Sequence, residues 1–302
     1  MKRSRMWLLY LCMSLATDGL ALLLAWLIWR HDGSLPLAAL PLLVVALGRL
    51  LFIRRGFRSS RRLCPPALAA AYPQSRVARC RTMLRETLAM WRMFGWLMPL
   101  PLCTRRKGHG TPIVFVHGFI CNAGVWQPMM RWLARRSGAS MRAISLYPVL
   151  GDIDDYAAQL QRAVDDLCRR SSEPRVMLVG HSMGGLVIRR YLRRFGGAQV
   201  ARAVTIGSPH HGVFIPSKMA RRGRNLSQMK HGSAWLAELG KDEAATAVPL
   251  LSIWSPHDNV CAPQDTSRLA HARELVVPDE GHDTLLYTPP VWRAVLAEWQ
   301  AC

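Results

Sequence analysis

The sequence predicts an α/β fold: a mostly parallel sheet covered by helices on both faces, preceded by two transmembrane helices. Three observations predict it. Short β-runs alternate with amphipathic helical patterns between residues 112 and 300, the order typical of a parallel sheet. A G-x-S-x-G sequence, Gly180–Gly184, lies between one β-run and one helix. Two apolar stretches precede residue 54, and each is long enough to span a bilayer.

The two apolar stretches, Met6–Trp29 and Leu35–Ile53, contain one charged residue each, Asp18 and Arg49. Residues 30–34 join them, so we expect a helical hairpin in the membrane. The two charges could pair there, because ionisable groups at membrane depth are stabilised by a partner. A cleaved signal peptide and a buried hairpin in a soluble protein are the alternatives. The long first stretch, followed directly by a second, disfavours the signal peptide.

Positive charge flanks the hairpin on its outer sides. Residues 1–107 hold 18 basic and 3 acidic residues, against 22 and 16 in residues 108–302. The basic residues beside the apolar stretches are Lys2, Arg3, Arg5, Arg54, Arg55, Arg58, Arg61 and Arg62. By the positive-inside rule, both ends of the hairpin face the cytoplasm. We therefore expect a multi-pass protein of the inner (cytoplasmic) membrane, in contact with membrane lipids, with its C-terminal domain on the cytoplasmic side.

We divide the chain into a hairpin (1–62), a basic amphipathic connector (63–107) and a catalytic domain (108–302). Residues 75–97 of the connector have a helical pattern. Its predicted apolar face consists of Val77, Leu84, Leu88, Trp91 and Phe94. This helix could lie on an anionic leaflet or pack on the catalytic domain. Nucleic-acid binding would also explain the basic excess, but the arginines cluster beside the spans and no recognition motif is present, so we expect none.

The G-x-S-x-G sequence is typical of a nucleophile elbow, the tight strand-to-helix turn that exposes a reactive serine. Its serine, Ser182, follows the β-run 175–179 and precedes a helix over 183–195. Gly180 and Gly184 leave room for the reversal of the chain. The sequence therefore predicts Ser182 as a nucleophile.

An acid and a base follow the serine in the chain order that the elbow requires. Asp258 follows the β-run 249–254, and His282 follows the β-run 274–277. Both therefore lie just past strand ends, at the sheet edge where open α/β sheets place their sites. We predict that His282 accepts the Ser182 proton and that Asp258 orients the imidazole. A turn cap and a surface histidine are the alternative interpretation of these two residues.

Two backbone donors complete the predicted site. An oxyanion hole needs two N–H groups about 3 Å from the developing negative charge. One is the N–H of Met183, directly after the nucleophile. The other is expected in the loop after the β-run 112–116, and we assign it to Phe119.

Five sequence segments, which include the elbow and the loops of the predicted site residues, together support a resemblance to a known family. They are His117–Phe119, Gly180–Gly185, Gly207–Gly212, the loop with Asp258, and Gly281–Leu286. Over residues 108–302 the chain resembles the α/β-hydrolase superfamily, and more narrowly small bacterial triacylglycerol lipases and esterases. The resemblance implies the α/β-hydrolase fold, the site residues assigned above, and ester hydrolysis without a cofactor. His210 or His211 could mimic the base, but we prefer His282.

The predicted function is a membrane-anchored serine hydrolase that cleaves carboxylic esters of acyl-lipid type. A thioesterase, phospholipase or acyltransferase on the same triad is the alternative, and a silent membrane scaffold is less favoured. The eight cysteines show no metal-binding spacing, so we expect no metal. Residues 213–247 interrupt the strand–helix alternation and are either a substrate-gating lid or a structural insertion.

Overall fold

A computed structural model describes residues 6–171, 173–241 and 248–302. Its seven strands form one sheet in the order β1-β3-β2-β4-β5-β6-β7. β1 is antiparallel to β3, and all other neighbouring strands in the sheet are parallel. The strands are β1 (Arg105–Arg106), β2 (Ile113–Val116), β3 (Met141–Ile144), β4 (Val176–His181), β5 (Val200–Ile206), β6 (Leu250–Trp254) and β7 (Arg273–Val276). The predicted mostly parallel sheet is confirmed.

Helices surround this sheet and continue into the N-terminal segment. Over the described residues they are α1 (Met6–Ser14), α2 (Leu20–Asp32), α3 (Leu35–Leu63), α4 (Pro66–Ala71), α5 (Arg76–Arg92), α6 (Gln127–Ala134), α7 (Ile153–Ser171), α8 (Met183–Phe195), α9 (Ser217–Ala220), α10 (Arg224–Met229), α11 (Ala234–Leu239) and α12 (Pro289–Gln300). A π-helical turn, Leu15–Gly19, joins α1 to α2.

Two hydrophobic cores lie on opposite faces of the sheet. In β2, Val114 and Val116 belong to the core that α7 and α8 cover, whereas Ile113 and Phe115 belong to the core with α6 and α12. Successive strand residues point to opposite faces, so this alternation requires a helical layer on each side. The apolar face of α7 is buried accordingly, as in Tyr156 and Leu160.

The segment 213–247 contains α9, α10 and α11. Its apolar residues Leu226, Met229, Leu236 and Leu239 are buried in the core beside α7 and α8. That packing favours a structural insertion over a lid for the described part. Residues 242–247 lie outside the described residues.

The two apolar stretches form helices that are long and apolar enough to cross a membrane. These span Tyr10–Asp32 and Leu35–Leu63. The Arg49 guanidinium lies 2.8 Å from the Asp18 carboxylate, so the two charges inside the hairpin are paired. The second helix runs beyond its predicted end at Ile53, because the arginines after it do not interrupt the helix.

The end of α3 packs on the catalytic domain. Ile53, Phe57 and Ser60 are buried, and the Gln264 side chain donates to the Ser60 carbonyl at 3.4 Å. The same Gln264 nitrogen donates to the Asp258 carbonyl at 3.0 Å. The hairpin therefore contacts the loop of the predicted acid directly.

α5 packs on the catalytic domain with a face other than its apolar one. Thr82, Glu86 and Ala89 are buried, whereas the predicted apolar face is largely exposed, as in Leu84 and Trp91. A polar face is buried because the surface that α5 contacts is itself polar. The loop 279–284 offers N–H and C=O groups to this helix, and buried backbone groups need polar partners.

We expect the packing of α3 to contribute to the stability of the whole chain. Phe57→Ala removes a buried ring and should lower the free energy of unfolding by about 3 kcal/mol. Phe52 is on the same helix but is 68% exposed, so Phe52→Ala is the matched control and should have little effect. Thermal unfolding of both variants in detergent checks this. Equal melting temperatures for the two variants would contradict the packing.

Candidate active site

Ser182 lies in a strained turn between β4 and α8. Its φ of 54° is unusual for a residue with a side chain and is tolerated where neighbours enforce it. A Cβ on Gly180 would lie 2.7 Å from the Gly184 carbonyl carbon, and one on Gly184 would overlap the Val116 carbonyl. The two glycines therefore allow the close approach that the elbow needs.

Asp258 and His282 form a buried pair. His282 Nδ1 lies 2.8 Å from Asp258 Oδ2. The other carboxylate oxygen accepts the N–H groups of Val260 and Cys261 at 2.7 and 2.8 Å, which fixes the carboxylate. Burial alone would lower the pKa of His282, but the Asp258 carboxylate outweighs it and holds that pKa well above the ordinary value.

His181, the residue before Ser182, connects the elbow to the His282 loop. Its ring lies 4.6 Å from the His282 ring, centroid to centroid. Its Nε2 lies 3.1 Å from the His282 carbonyl oxygen. Burial, with His282 nearby, holds the pKa of His181 well below the ordinary value. The neutral ring therefore carries its proton on Nε2 and donates it to that carbonyl.

The loop after β2 presents a backbone N–H in a fixed direction. Burial lowers the pKa of His117 to about 4, so its ring is neutral. Its Nε2 accepts the Leu146 N–H at 2.9 Å, which leaves the proton on Nδ1, 2.8 Å from the Gly118 carbonyl. In a trans peptide, N–H and C=O point in opposite directions. The Phe119 N–H therefore points away from His117.

One close approach brings the elbow beside this loop. A Cβ on Gly118 would lie 2.8 Å from the Ser182 Cβ, so the loop and the elbow are adjacent. Met183 is the first residue of α8, and the N–H of a first helical residue has no acceptor within its own helix. Phe119 and Met183 thus belong to two neighbouring segments that meet at Ser182.

Cys261 is a site neighbour that the sequence did not predict. Its thiol donates to the Gly207 carbonyl at 3.1 Å. Burial raises its pKa, so it remains a thiol. The ligand atoms of Asp258, Cys261 and His282 lie within 4.8 Å of one another and could hold a metal ion. The imidazole–carboxylate hydrogen bond already occupies two of them.

The alternative bases have other partners. His210 Nε2 lies 3.0 Å from Thr205 Oγ1, and Arg189 donates to the His210 carbonyl at 2.8 Å. His211 Nε2 lies 3.0 Å from the Arg268 carbonyl. The Asp258 carboxylate pairs with His282, so the geometry favours our choice of His282.

Glu86 is a second buried carboxyl group that the sequence did not predict. It accepts the N–H groups of Asp283 and Thr284, each at 2.9 Å. Burial, and next the Asp283 carboxylate, raise the pKa of Glu86 to about 8. A polar residue of the connector thus contacts the loop of His282.

Comparisons with known proteins agree with this fold. Residues 112–248 match the family model described as palmitoyl protein thioesterase. The non-heme chloroperoxidase CPO-A1 of Kitasatospora aureofaciens is 30% identical over 146 residues, which are 42% of this chain and 48% of that protein. The chain thus spans about half the length of this relative.

Two lipases have similar structures. The Bacillus licheniformis lipase BlEst2, in its mature form, has a TM-score of 0.53 at 19% identity, over 63% of this chain and 93% of the lipase. The Aspergillus fumigatus lipase B has a TM-score of 0.56 at 19% identity, over 62% of this chain and 51% of the lipase. The chain has the α/β-hydrolase fold. Likeness at such identities establishes the fold, and the chemistry depends on the site.

Proposed function

We propose that this α/β-hydrolase is a membrane-anchored serine hydrolase that cleaves carboxylic esters of acyl-lipid type. The observation that carries the proposal is the buried Asp258–His282 pair, 2.8 Å apart, on a loop that His181 connects to the strained elbow. A serine next to such a pair has the base that it needs to become a nucleophile.

The proposed reaction has two halves. His282 Nε2 accepts the hydroxyl proton as Ser182 Oγ bonds to the ester carbonyl carbon. The carbonyl oxygen becomes an oxyanion, which the N–H groups of Phe119 and Met183 stabilise. When the C–O bond breaks, His282 returns its proton to the departing alkoxide, leaving an acyl-enzyme. Water then repeats the sequence, with His282 as base, and releases the acid and the free serine.

The hairpin and the exposed face of α5 support a lipid substrate and a membrane anchor. The two spans suit a bilayer by length and composition, and the lipases BlEst2 and lipase B share the fold. Leu84, Leu88 and Trp91 are more than half exposed, and a helix face of this kind suits the interface between headgroups and acyl chains. Because α3 packs on the Asp258 loop, the site would lie close to the bilayer.

A thioesterase on the same residues is the second candidate. The match of residues 112–248 to the palmitoyl protein thioesterase model favours it. The two candidates differ only in the leaving group, a thiolate instead of an alkoxide. Comparing kcat/KM for a palmitoyl thioester with that for the matching palmitoyl ester separates them.

We predict that Ser182→Ala abolishes both ester hydrolysis and labelling by a fluorophosphonate probe, because it removes the attacking oxygen. His282→Ala should be as damaging, since the members of a triad act as a unit. His210→Ala is the matched control and should keep most of the activity. Hydrolysis of p-nitrophenyl butyrate by the purified variants checks this. An active Ser182→Ala variant would refute the enzyme proposal, and an inactive His210→Ala variant beside an active His282→Ala one would refute the base assignment.

The raised pKa of His282 predicts an alkaline pH dependence. His282 must be neutral to accept a proton, so kcat/KM should fall as pH drops below its pKa. The midpoint of that fall should lie above the ordinary value of about 6.5. Asp258→Asn removes the charge that raises the pKa, so the midpoint should move to lower pH while kcat falls by about 10⁴. Measured pH profiles of kcat/KM check this. An unchanged midpoint would mean that another group titrates.

The anchor is proposed as a hairpin in the inner membrane with both ends in the cytoplasm. A fluorescent protein fused after Cys302 should therefore be bright, and alkaline phosphatase fused there should be inactive, because that enzyme works only in the periplasm. Fusions after Gly33, in the joint between the spans, are the matched control and should give the opposite pair of results. An active phosphatase after Cys302 would contradict the cytoplasmic placement.

A further inference from the structure

The loop that carries His282 is held by side chains of the connector helix α5. Thr82 donates to the Asp279 carbonyl at 3.1 Å, and Arg85 forms an ion pair with Glu280 at 2.9 Å. Glu86 accepts the N–H groups of Asp283 and Thr284. These contacts join segments almost 200 residues apart in the chain. Helix α5 therefore contacts the loop from Asp279, at its start, to Thr284, after His282.

Glu86 forms a hydrogen bond with the peptide group that directly follows His282. That peptide consists of the His282 carbonyl and the Asp283 N–H. His181 donates to the carbonyl at 3.1 Å, and Glu86 Oε1 accepts the N–H at 2.9 Å. On the preceding side, the His282 N–H donates to Asn259 Oδ1 at 2.9 Å. The backbone on both sides of the histidine is therefore fixed by named side chains.

The second oxygen of Glu86 accepts a hydrogen bond from the helical turn after His282. Its Oε2 accepts the Thr284 N–H at 2.9 Å, and Thr284 begins the 3₁₀ turn Thr284–Tyr287. The first N–H groups of a helical turn have no acceptor within that turn, so other parts of the chain must supply one. A Cβ on Gly281 would overlap this oxygen, so glycine at that position allows Glu86 to enter.

We propose that Glu86 is a positioning residue for His282, supplied by the segment that links the membrane hairpin to the hydrolase sheet. The inference rests on the proposed function, because it assigns Glu86 a part in holding the base of that reaction. The hydrogen bonds of Glu86 go to the main chain after His282 and not to Ser182 or the His282 ring. It sets the main chain from which the His282 ring projects, so its loss misplaces the base without removing it. The hydrolase site is thus complete only when α5 is docked.

The test uses the full-length protein in detergent and three variants. Glu86→Ala removes both acceptors, and Glu86→Gln keeps the volume and one acceptor but turns an NH₂ toward the other N–H. Thr82→Val is the matched control, because it removes a hydrogen bond between the same helix and the same loop at the end far from His282. We measure kcat and KM for p-nitrophenyl butyrate, the rate of fluorophosphonate labelling, and thermal unfolding.

We expect Glu86→Ala to lower kcat and the labelling rate by about 10- to 100-fold, as a small displacement of a catalytic group does. KM should change little, and Glu86→Gln should be intermediate. Thr82→Val should keep kcat within about twofold even if its melting temperature falls, since stability and positioning are separate effects.

A merely structural role would lower the melting temperatures of the Glu86 and Thr82 variants alike and leave kcat unchanged well below unfolding. That result would overturn the proposal. If Glu86→Ala does not fold, Glu86→Gln decides, and a folded Glu86→Gln protein with wild-type kcat would overturn it. Failure of the proposed function is distinguishable, because Ser182→Ala would then remain active whatever the Glu86 variants do.

Discussion

Two buried carboxyl groups from different parts of the chain make hydrogen bonds to His282 and to the main chain that follows it. Asp258 comes from the loop after β6 and bonds the ring itself. Glu86 comes from α5, outside the sheet, and bonds the backbone after the ring. Buried carboxyl groups lose hydration and are kept where donors replace it. Both groups have such donors, so the active-site loop and the N-terminal segment are parts of one packed unit.

The parallel sheet explains why the other site residues lie together. β4 and β6 flank β5, and the carboxyl ends of parallel strands meet at one edge. Ser182 follows β4, and Asp258 follows β6. Close contacts then complete the geometry, because Gly118 and Gly184 let neighbouring segments approach the elbow more closely than a side chain would allow.

The sheet and the elbow were predictable because each depends on local sequence, and the pairing of Asp258 with His282 was predictable because both follow strands of that sheet in the order that the elbow requires. α8 has the predicted bounds, since strong apolar periodicity marks it. Glu86 and Cys261 were not predictable in the same way. Their partners are distant in sequence, and a glutamate on a basic helix looks like a solvated residue. The packed face of α5 was not predictable from its apolar stripe either, because the surface that buries this helix is a polar loop.

Glu86 is proposed to hold the backbone beside His282, and hydrogen exchange of the Asp283 and Thr284 amides tests this claim most directly. These amides donate to a buried carboxyl group, and exchange of buried, bonded amides requires local opening. In the wild-type protein they should exchange slowly, and in Glu86→Ala much faster, while the amides of β4 keep their protection. Equal exchange of the Asp283 and Thr284 amides in the two proteins would contradict the claim.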